Sequence, residues 1–435
     1  MQYRIYYLFV LLALIYLLFK HKTQLFLVFI ILIFFNGFFA FLGKEIWNIY
    51  KIVILLISVI FISRYNLLNI AKTKFVKFSF YLFSITFILT AYLNGDYFII
   101  IFSQYAKYFI LFVGFLFLYK VRNIEADRQV ISKIIFEILL FQIVFSIIKY
   151  FTIGMDESTV GSISEQGGAA ATSLPVLGYI FLWLKRNGYL RRKDWIFILG
   201  LIFIGFVSLK RAMWFIMPII IGLFMLYVPG KRISFRLVLL GLLAVPMVFY
   251  FGVRLSPTLN PENKIGGIFD FNYVLDYAQK YNLGEENSDK KSGRANAAAY
   301  IYNKISTNSI TKTEWLGYGL RYMYTTDYEE FRNLDLGITN KGSATGVFQT
   351  MVVSGFLGIL TTVLFALSML VKTNNNRIKI VLIGFFFWEY IFYTGIILRD
   401  PALSFLLIYL ILFSDRYNNE TPQYVRDNNN LQEVK

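Results

Sequence analysis

The sequence predicts an all-α polytopic membrane protein, and its composition, its apolar run lengths and its loop charges each point to that class. Hydrophobic residues make up 57% of the 435 residues and charged residues only 16%, with a mean hydropathy of +0.58. This composition is more apolar and less charged than that of soluble globular proteins. Apolar runs near spanning length separate the polar segments, so we expect about twelve to fourteen transmembrane helices.

About thirteen apolar runs predict the individual spans, and several approach the ~20 residues that cross ~30 Å of hydrocarbon. They are 3–19, 24–42, 46–63, 75–93, 97–119, 131–153, 171–186, 194–209, 212–228, 235–253, 346–371, 378–398 and 401–413. The charged tripeptide Lys20-His21-Lys22, rather than a small-residue cleavage site, follows the first run. We therefore expect the first span to stay in the mature protein.

The loops between these runs alternate in charge. One set is rich in lysine and arginine, and the positive-inside rule predicts that it is cytoplasmic. Its basic residues include Lys20, Lys22, Arg64, Lys72, Lys74, Lys120, Arg122, Arg186, Arg191, Arg192, Lys231, Arg232, Lys372 and Arg377. The other set, which includes 94–96, the acidic segment around Asp156, the pair Arg399-Asp400 and the long loop 254–345, is predicted to face outward.

The long loop carries eleven Lys or Arg and eleven Asp or Glu. The formal charge of +17 therefore belongs to the predicted cytoplasmic loops and does not indicate a nucleic-acid partner.

Four segments follow from this pattern. They are 1–253 with the first ten spans, 254–345 as a large external loop, 346–413 with the C-terminal spans, and 414–435 as a disordered cytoplasmic tail. A loop as long as 254–345 is usually functional or disordered. Ser292 is a favourable N-cap, and apolar residues recur on one face after it, which predicts a helix at about 293–305.

Two residue types that carry much enzyme chemistry are missing or scarce. The chain has no cysteine, and its single histidine is His21. Disulfides, thiolate metal sites and histidine catalysis in the external loop are therefore excluded.

Five charged residues interrupt apolar runs: Lys51, Lys107, Glu137, Lys149 and Glu389. A charge at the bilayer centre costs about 2.5–3.5 kcal/mol on insertion scales, so such residues usually face a bundle interior and have a partner. We expect Glu137 or Glu389 to pair with a nearby lysine. A proton relay through these carboxylates is the alternative.

Cationic side chains at the predicted outer face are candidates for binding an anionic headgroup. Lys210 and Arg211 lie between two spans with almost no loop, and Arg254 and Arg294 lie in the external loop. Guanidinium groups bind phosphate bidentately, and a helix that begins near Arg294 would add main-chain N–H donors. The alternative is that the Lys210-Arg211 pair only reaches the outer lipid headgroups.

The external loop is also rich in tyrosine, including Tyr300 and Tyr318. An aromatic face with a polar edge suits a sugar ring, because axial C–H groups stack on the face while hydroxyl groups form hydrogen bonds. The alternative is that these tyrosines form a small core or an interfacial belt.

Four motifs follow one another within about 200–370. They are Ser208-Leu209-Lys210-Arg211, Ser292-Gly293-Arg294, WLGYGL at 315–320 and VFQTMVVSGFLGIL at 347–360. In this order and placement they resemble the O-antigen polymerase and O-antigen ligase superfamily. The resemblance implies a GT-C-like integral glycosyltransferase of the bacterial cytoplasmic membrane whose active site lies on the external, periplasmic face.

The same resemblance implies a substrate and a set of partners. The substrate would be an oligosaccharide linked to undecaprenyl diphosphate, and the transfer would need no metal and no cofactor. Membrane lipids and a chain-length regulator protein are the further partners that it suggests.

Ligases of this superfamily carry a histidine just before the last motif, where this chain has Gly342-Ser343-Ala344-Thr345. Because that histidine is missing, the resemblance favours a polymerase of polysaccharide repeat units over a ligase that transfers the glycan to lipid A core.

The resemblance also suggests roles for individual residues. Arg211 and Arg294 would be catalytic, because fixed cations stabilise the negative charge that grows on a leaving diphosphate. The candidates for substrate binding are Lys210, Arg254, Arg321, Tyr300, Tyr318 and Ser343. The general base is left open among Asp327, Glu329, Glu330 and proton transfer to water.

Three alternatives stay open at this point. A ligase whose histidine role is filled by another group would transfer glycan to lipid A core. A flippase or transporter of lipid-linked oligosaccharide would be expected to have twofold-related bundles around a charged cavity and no large outer loop. A membrane scaffold for envelope assembly would not require the cations to converge.

Overall fold

The computed structural model describes residues 2–21, 25–163, 169–188, 190–225, 246–247, 249–283, 298–299, 302–303, 311–323, 344–373 and 375–414. About 82% of the described chain is helical, and no strand occurs in it. The described residues therefore confirm the all-helical class that the composition predicts.

The helices alternate with short turns along the described chain. They are α1 (Gln2–His21), α2 (Leu25–Phe34), α3 (Asn36–Phe41), α4 (Lys44–Arg64), α5 (Lys74–Leu93), α6 (Phe98–Val121), α7 (Glu125–Ile153), α8 (Ala170–Lys185), α9 (Arg192–Val207), α10 (Arg211–Met225), α11 (Phe271–Leu283), α12 (Thr311–Leu316), α13 (Gly346–Leu370), α14 (Asn376–Phe387), α15 (Ile396–Arg399) and α16 (Pro401–Phe413). A π-helical turn, Trp388–Phe392, follows α14 directly.

Five helices in the described ranges are long and apolar enough to cross a membrane. They are Glu45–Arg64, Ala71–Leu93, Phe98–Val121, Glu125–Ile153 and Gly346–Leu370. Several predicted spans correspond instead to shorter apolar helices, such as α2, α8 and α16. These lengths and compositions are those of a helical membrane protein.

Two predicted spans are interrupted in the structure. The run 24–42 is divided at Phe35 into α2 and α3, and the run 378–398 is divided into α14, the π turn and α15. At the first break the main-chain N–H of Phe38 donates to the Ser162 carbonyl at 3.2 Å, from the non-helical segment between α7 and α8. Irregular backbone is tolerated in a membrane where other parts of the protein bury it. The spacing of apolar residues in the sequence does not reveal such a break.

The ends of the bundle differ in what they carry. At one end, which we call the basic face, the Lys120 ammonium donates to the Tyr65 carbonyl, and the Lys372 ammonium donates to the Lys72 carbonyl at 3.0 Å. At the other end, the loop face, Asp96 contacts the segment just after α12. The charge alternation thus grouped these basic loop ends correctly, and the positive-inside rule predicts that their face is cytoplasmic.

The centre of the bundle is the short helix α16, which is buried along its whole length. It packs against α6, α8 and α2. Aromatic rings of these neighbours contact it, with ring centroids 5.6 Å apart for Phe181 and Tyr409 and 6.4 Å apart for Phe34 and Phe405. Close packing of this kind fixes the relative positions of the helices that carry the site.

The intramembrane charges have defined partners. Glu137 pairs with the ammonium of Lys20 at 2.9 Å, which confirms the expected pairing with a lysine. Glu389 instead accepts from the main-chain N–H of Ile396 at 2.9 Å and from the Thr394 hydroxyl at 3.2 Å. The turn between the π helix and α15 supplies these donors, so this carboxylate helps to hold the turn.

Part of the external loop forms its own small core. Val253, Leu259 and Val274 are buried together, and Val274 is the residue that α11 contributes to this core. Of the helix predicted at 293–305, the structure describes 298–299 and 302–303, which are helical. The rest of that helix and the predicted tail lie outside the described residues.

Candidate functional site

The motif WLGYGL forms a tight turn on the loop face. Helix α12 ends at Leu316, and a 3₁₀ turn begins at Leu320. Between them Gly317 has a φ of +70°, which favours glycine. A Cβ added at Gly317 would lie 2.6 Å from the Val352 carbonyl oxygen, so a larger residue would push the turn away from α13.

Helix α13 is kinked where this turn meets it. Gly355 has φ +63° and ψ −159° inside the helix. Such a break frees main-chain carbonyls from their helical partners. The carbonyl of Val352 accepts from the N–H of Tyr318 at 2.6 Å and from that of Gly319 at 3.2 Å. The turn therefore supplies N–H donors to a carbonyl of the kinked helix.

Asp96 holds the same turn from the other side. Its carboxylate lies between α5 and α6 and accepts from the main-chain N–H of Leu320 at 2.7 Å and of Arg321 at 3.0 Å. The Asn94 amide donates to the Leu316 carbonyl at 3.1 Å. Burial raises the pKa of the Asp96 carboxyl, while the two N–H donors favour its ionised form. We call Asp96, the segment 315–322 and the kink at Gly355 the loop-face clasp.

Two of the predicted substrate-binding residues belong to this clasp. Tyr318 and Tyr322 have ring centroids 5.4 Å apart, and the Arg321 guanidinium lies 5.9 Å from the Tyr322 ring. All three side chains are partly exposed. The Arg321 Nε is buried and has no hydrogen-bond partner among the described residues. The clasp thus presents two phenol rings and a cation at the loop face.

Two other predicted binding residues make different contacts. Lys210 pairs with Glu157 at 2.5 Å, which ties the turn before α10 to the segment after α7. Arg254 donates from Nε to the Gly267 carbonyl and from Nη2 to the Gly266 carbonyl, both at 2.9 Å. Within the described residues, neither cation bonds to the segment 315–322.

The side chains of the remaining candidates lie outside the part of the chain that the structure describes. Arg211 is the first residue of α10, but its side chain lies outside the description. Also outside the described residues are Arg294, Tyr300, Asp327, Glu329, Glu330 and Ser343. Their roles stay predictions.

Beneath the clasp, a polar network continues into the bundle. A cavity of about 30 Å³ is lined by Leu320, Gln104, Gln349 and Arg399 among others. The Arg399 guanidinium donates to the Gln349 side-chain oxygen and to the Thr394 carbonyl. This space is large enough for ordered water but too small for a ring-sized ligand.

Sequence reasoning missed three residues of this arrangement. Asp96 was visible only as part of an Asn-Gly-Asp turn, and Arg399 only as a charge between two apolar runs. Gln349 lies within the quoted motif of α13 but was not singled out. Their importance comes from contacts between distant parts of the chain, which a single sequence does not display.

Comparison with known proteins adds no assignment. Neither a family model nor a curated protein matches this sequence.

Proposed function

We propose that the protein is an integral membrane glycosyltransferase that polymerises polysaccharide repeat units. It transfers a glycan from an undecaprenyl-diphosphate donor to a lipid-linked acceptor repeat unit on the external face of the membrane. The observation that carries the proposal is the loop-face clasp, which fixes Arg321 beside a pair of tyrosine rings at the membrane boundary. The resemblance in motif order supports it.

The reaction would break the bond between the anomeric carbon and the diphosphate oxygen. A new bond forms between that carbon and a hydroxyl oxygen of the acceptor, and the hydroxyl proton leaves to a base or to water. Negative charge grows on the departing diphosphate, so a fixed cation stabilises the transition state more than the ground state. Arg321 is the described candidate for this role, together with the predicted Arg211 and Arg294.

The tyrosine pair gives the clasp a second property. Phenol rings offer apolar faces on which sugar C–H groups stack, and their hydroxyl groups bind sugar oxygens. Tyr318 is held by its own main-chain N–H, which donates to the Val352 carbonyl. A sugar bound at Tyr318 would therefore have a fixed position relative to Arg321, as orientation of two reactants requires.

Deleting the gene and analysing lipid-linked glycans on each side of the membrane tests the proposal. A polymerase predicts that single repeat units accumulate on undecaprenyl diphosphate at the external face and that long chains disappear. Long chains retained on undecaprenyl diphosphate would instead indicate a ligase, and single units trapped on the cytoplasmic side would indicate a flippase. Unchanged glycans would leave a scaffold role.

A further inference from the structure

An apolar groove lies between α4, α5 and α6. Its volume is about 330 Å³. The rings of Phe80 and Phe112 form its floor; both are buried, and their centroids are 3.9 Å apart. Leu68, Tyr81 and Ile85 also line it, and these three side chains are exposed. The groove, which we call the α4–α6 groove, therefore opens away from the bundle.

The two hydroxyl groups inside the groove are paired. The Tyr105 hydroxyl donates to the Ser84 hydroxyl at 2.9 Å, and the Ser84 hydroxyl donates to the Phe80 carbonyl at 2.7 Å. Aliphatic side chains and aromatic rings make up the rest of the lining. A hydrocarbon chain can therefore occupy the groove without burying an unsatisfied hydroxyl.

The groove lies within the hydrocarbon layer. Each of its three helices is long and apolar enough to cross a membrane. At ~1.5 Å per residue, Tyr81 and Ile85 lie about 10 and 16 Å along α5 from its first residue, Lys74, within a layer ~30 Å thick. Lipid chains fill space of this kind, because an empty groove would forfeit dispersion contacts with its lining.

Cations surround the end of the groove at the basic face. Leu68, at this end, belongs to the turn between α4 and α5. The segment 64–77 has no Asp or Glu and four basic residues, Arg64, Lys72, Lys74 and Lys77. Two further ammonium groups bond to its main chain, that of Lys120 to the Tyr65 carbonyl and that of Lys372 to the Lys72 carbonyl. We call this segment the basic turn.

Lys77 joins the basic turn to the groove. Its ammonium donates to the Leu68 carbonyl at 2.6 Å and to the Ile70 carbonyl at 3.1 Å. Four residues separate Lys77 from Tyr81, so both lie on one face of α5. Both acceptors are neutral, and an ammonium group has three donors, so Lys77 keeps its charge and can donate to an anionic oxygen.

We propose that the α4–α6 groove and the basic turn together bind an anionic phospholipid from the leaflet at the basic face. One acyl chain lies in the groove, over Phe80 and Phe112, and the phosphate lies at Lys77 and the neighbouring cations. Charge complementarity selects this occupant, because clusters of lysine and arginine beside a membrane span attract anionic lipids. A second copy of the chain would bring its own basic turn to the same depth, and the like charges would repel.

This site is independent of the proposed function, since it lies at the opposite end of the bundle from the loop-face clasp. Helix α5 packs along α13. A lipid that binds the folded protein on α5 should therefore stabilise the bundle against unfolding. Lipid binding can be measured without any polymer being made.

The experiment uses the full-length protein in detergent, with native mass spectrometry and thermal unfolding as readouts. The probes are phosphatidylglycerol, phosphatidylcholine with the same chains, the chain-free headgroup glycerophosphoglycerol and inorganic phosphate. Phosphatidylglycerol should bind and raise the Tm. Phosphatidylcholine should bind at least about fivefold more weakly. Neither chain-free anion should raise the Tm at the same concentration.

A photoreactive lipid locates the site in the wild-type protein. Phosphatidylglycerol with a diazirine in one acyl chain, added at one lipid per protein, should label peptides from 80–85 and 105–112. Helix α9 is the internal control, because it also exposes apolar side chains, Ile196 and Leu199. It should be labelled much less than α5 and α6.

Two substitutions separate the headgroup from the chain. Lys77→Gln removes a cation and should weaken phosphatidylglycerol binding about fivefold. Ile85→Trp fills part of the groove and should weaken it about tenfold. The matched controls are Lys193→Gln, at the exposed start of α9, and Ile88→Trp, at an exposed position of α5 outside the groove lining. Both controls should bind as the wild type does.

Several results would overturn the proposal. Equal binding of the two phospholipids, or even labelling of α5, α6 and α9, would show only unspecific lipid contact. Binding of the chain-free headgroup as tightly as the lipid would remove the groove from the site, and a dimer that excludes the label would assign the groove to a second copy. Unchanged binding in both Lys77→Gln and Ile85→Trp would also contradict it. The wild-type measurements decide the matter even if a variant does not fold.

Discussion

The loop-face clasp and the cavity of about 230 Å³ lined by Lys51, Lys107, Arg399 and Asp400 lie on opposite sides of Arg399, and different parts of the chain build them. Main-chain hydrogen bonds and glycines hold the clasp, with Gly317 and Gly355 allowing the turn and the kinked helix to meet. Charged side chains on well-formed helices build the cavity. Substitutions of Gly355 and Asp96, which hold the clasp together, should therefore act mainly on stability.

The largest effect on stability is expected from Gly355→Ala. Alanine is strained at φ +63°, and its Cβ would overlap the main-chain carbonyl of Trp315. Backbone strain and steric overlap together should lower the free energy of unfolding by about 2–5 kcal/mol, as measured by thermal unfolding of the purified protein.

Gly384→Ala is the matched control for that substitution. Gly384 lies inside α14, and a Cβ there would meet no atom within 4 Å. Alanine should leave stability unchanged or raise it by up to about 1 kcal/mol, because helix propensity improves. Equal losses at both glycines would show that the kink has no special role.

A smaller and local effect is expected from Asp96→Asn. Asparagine keeps the shape of the side chain but lacks the negative charge of the carboxylate that accepts from the N–H groups of Leu320 and Arg321. We therefore expect the free energy of unfolding to fall by about 1–3 kcal/mol. Hydrogen exchange should increase in 311–323 more than in the rest of the bundle.

Asp270→Asn provides the comparison for Asp96. Asp270 also accepts from two main-chain N–H groups, those of Asn272 at 2.9 Å and Tyr273 at 3.1 Å, but it is exposed. Its replacement should raise hydrogen exchange in α11 alone. If Asp270→Asn and Asp96→Asn raise exchange equally in 311–323, Asp96 does not hold the clasp.

The smallest effect is expected at the ion pair of Lys20 with Glu137. Glu137→Gln breaks the ion pair with Lys20, but both side chains are partly exposed, at 21% and 32%. Pairs of this kind contribute about 0–1 kcal/mol, so thermal unfolding should shift little. A loss of stability as large as that of Asp96→Asn would contradict this ranking.

The sequence predicted the parts of the fold that depend on local composition. Apolar run length located the described helices other than α11 and α12, and loop charge grouped the ends that form the basic face. Most of the predicted run 235–253 lies outside the described residues. The breaks at Phe35 and within 378–398 were missed, because hydropathy stays high through them and buried contacts determine where a helix stops.

The candidate site was predictable only in part for a related reason. Glycines around Tyr318 signalled a turn, but the pairing of that turn with Asp96 and with the kink at Gly355 joins residues far apart in the chain. Lys51 and Lys107 were recognised as unusual charges within apolar runs. Their convergence with Arg399 depends on how α4, α6 and α15 pack, which no local pattern encodes.

The most direct test of the proposed function is the length distribution of polysaccharide made in a deletion strain that expresses variants of Arg321. Wild-type protein and the control Lys264→Ala should restore long chains. Arg321→Ala should leave mostly single repeat units at normal membrane levels of protein, since loss of a key electrostatic contact typically costs ~10²–10³ in turnover. Arg321→Lys should make chains no longer than intermediate in length, because it keeps the charge but loses the planar guanidinium group that binds phosphate through two hydrogen bonds. Chains of ordinary length from Arg321→Ala would contradict the account.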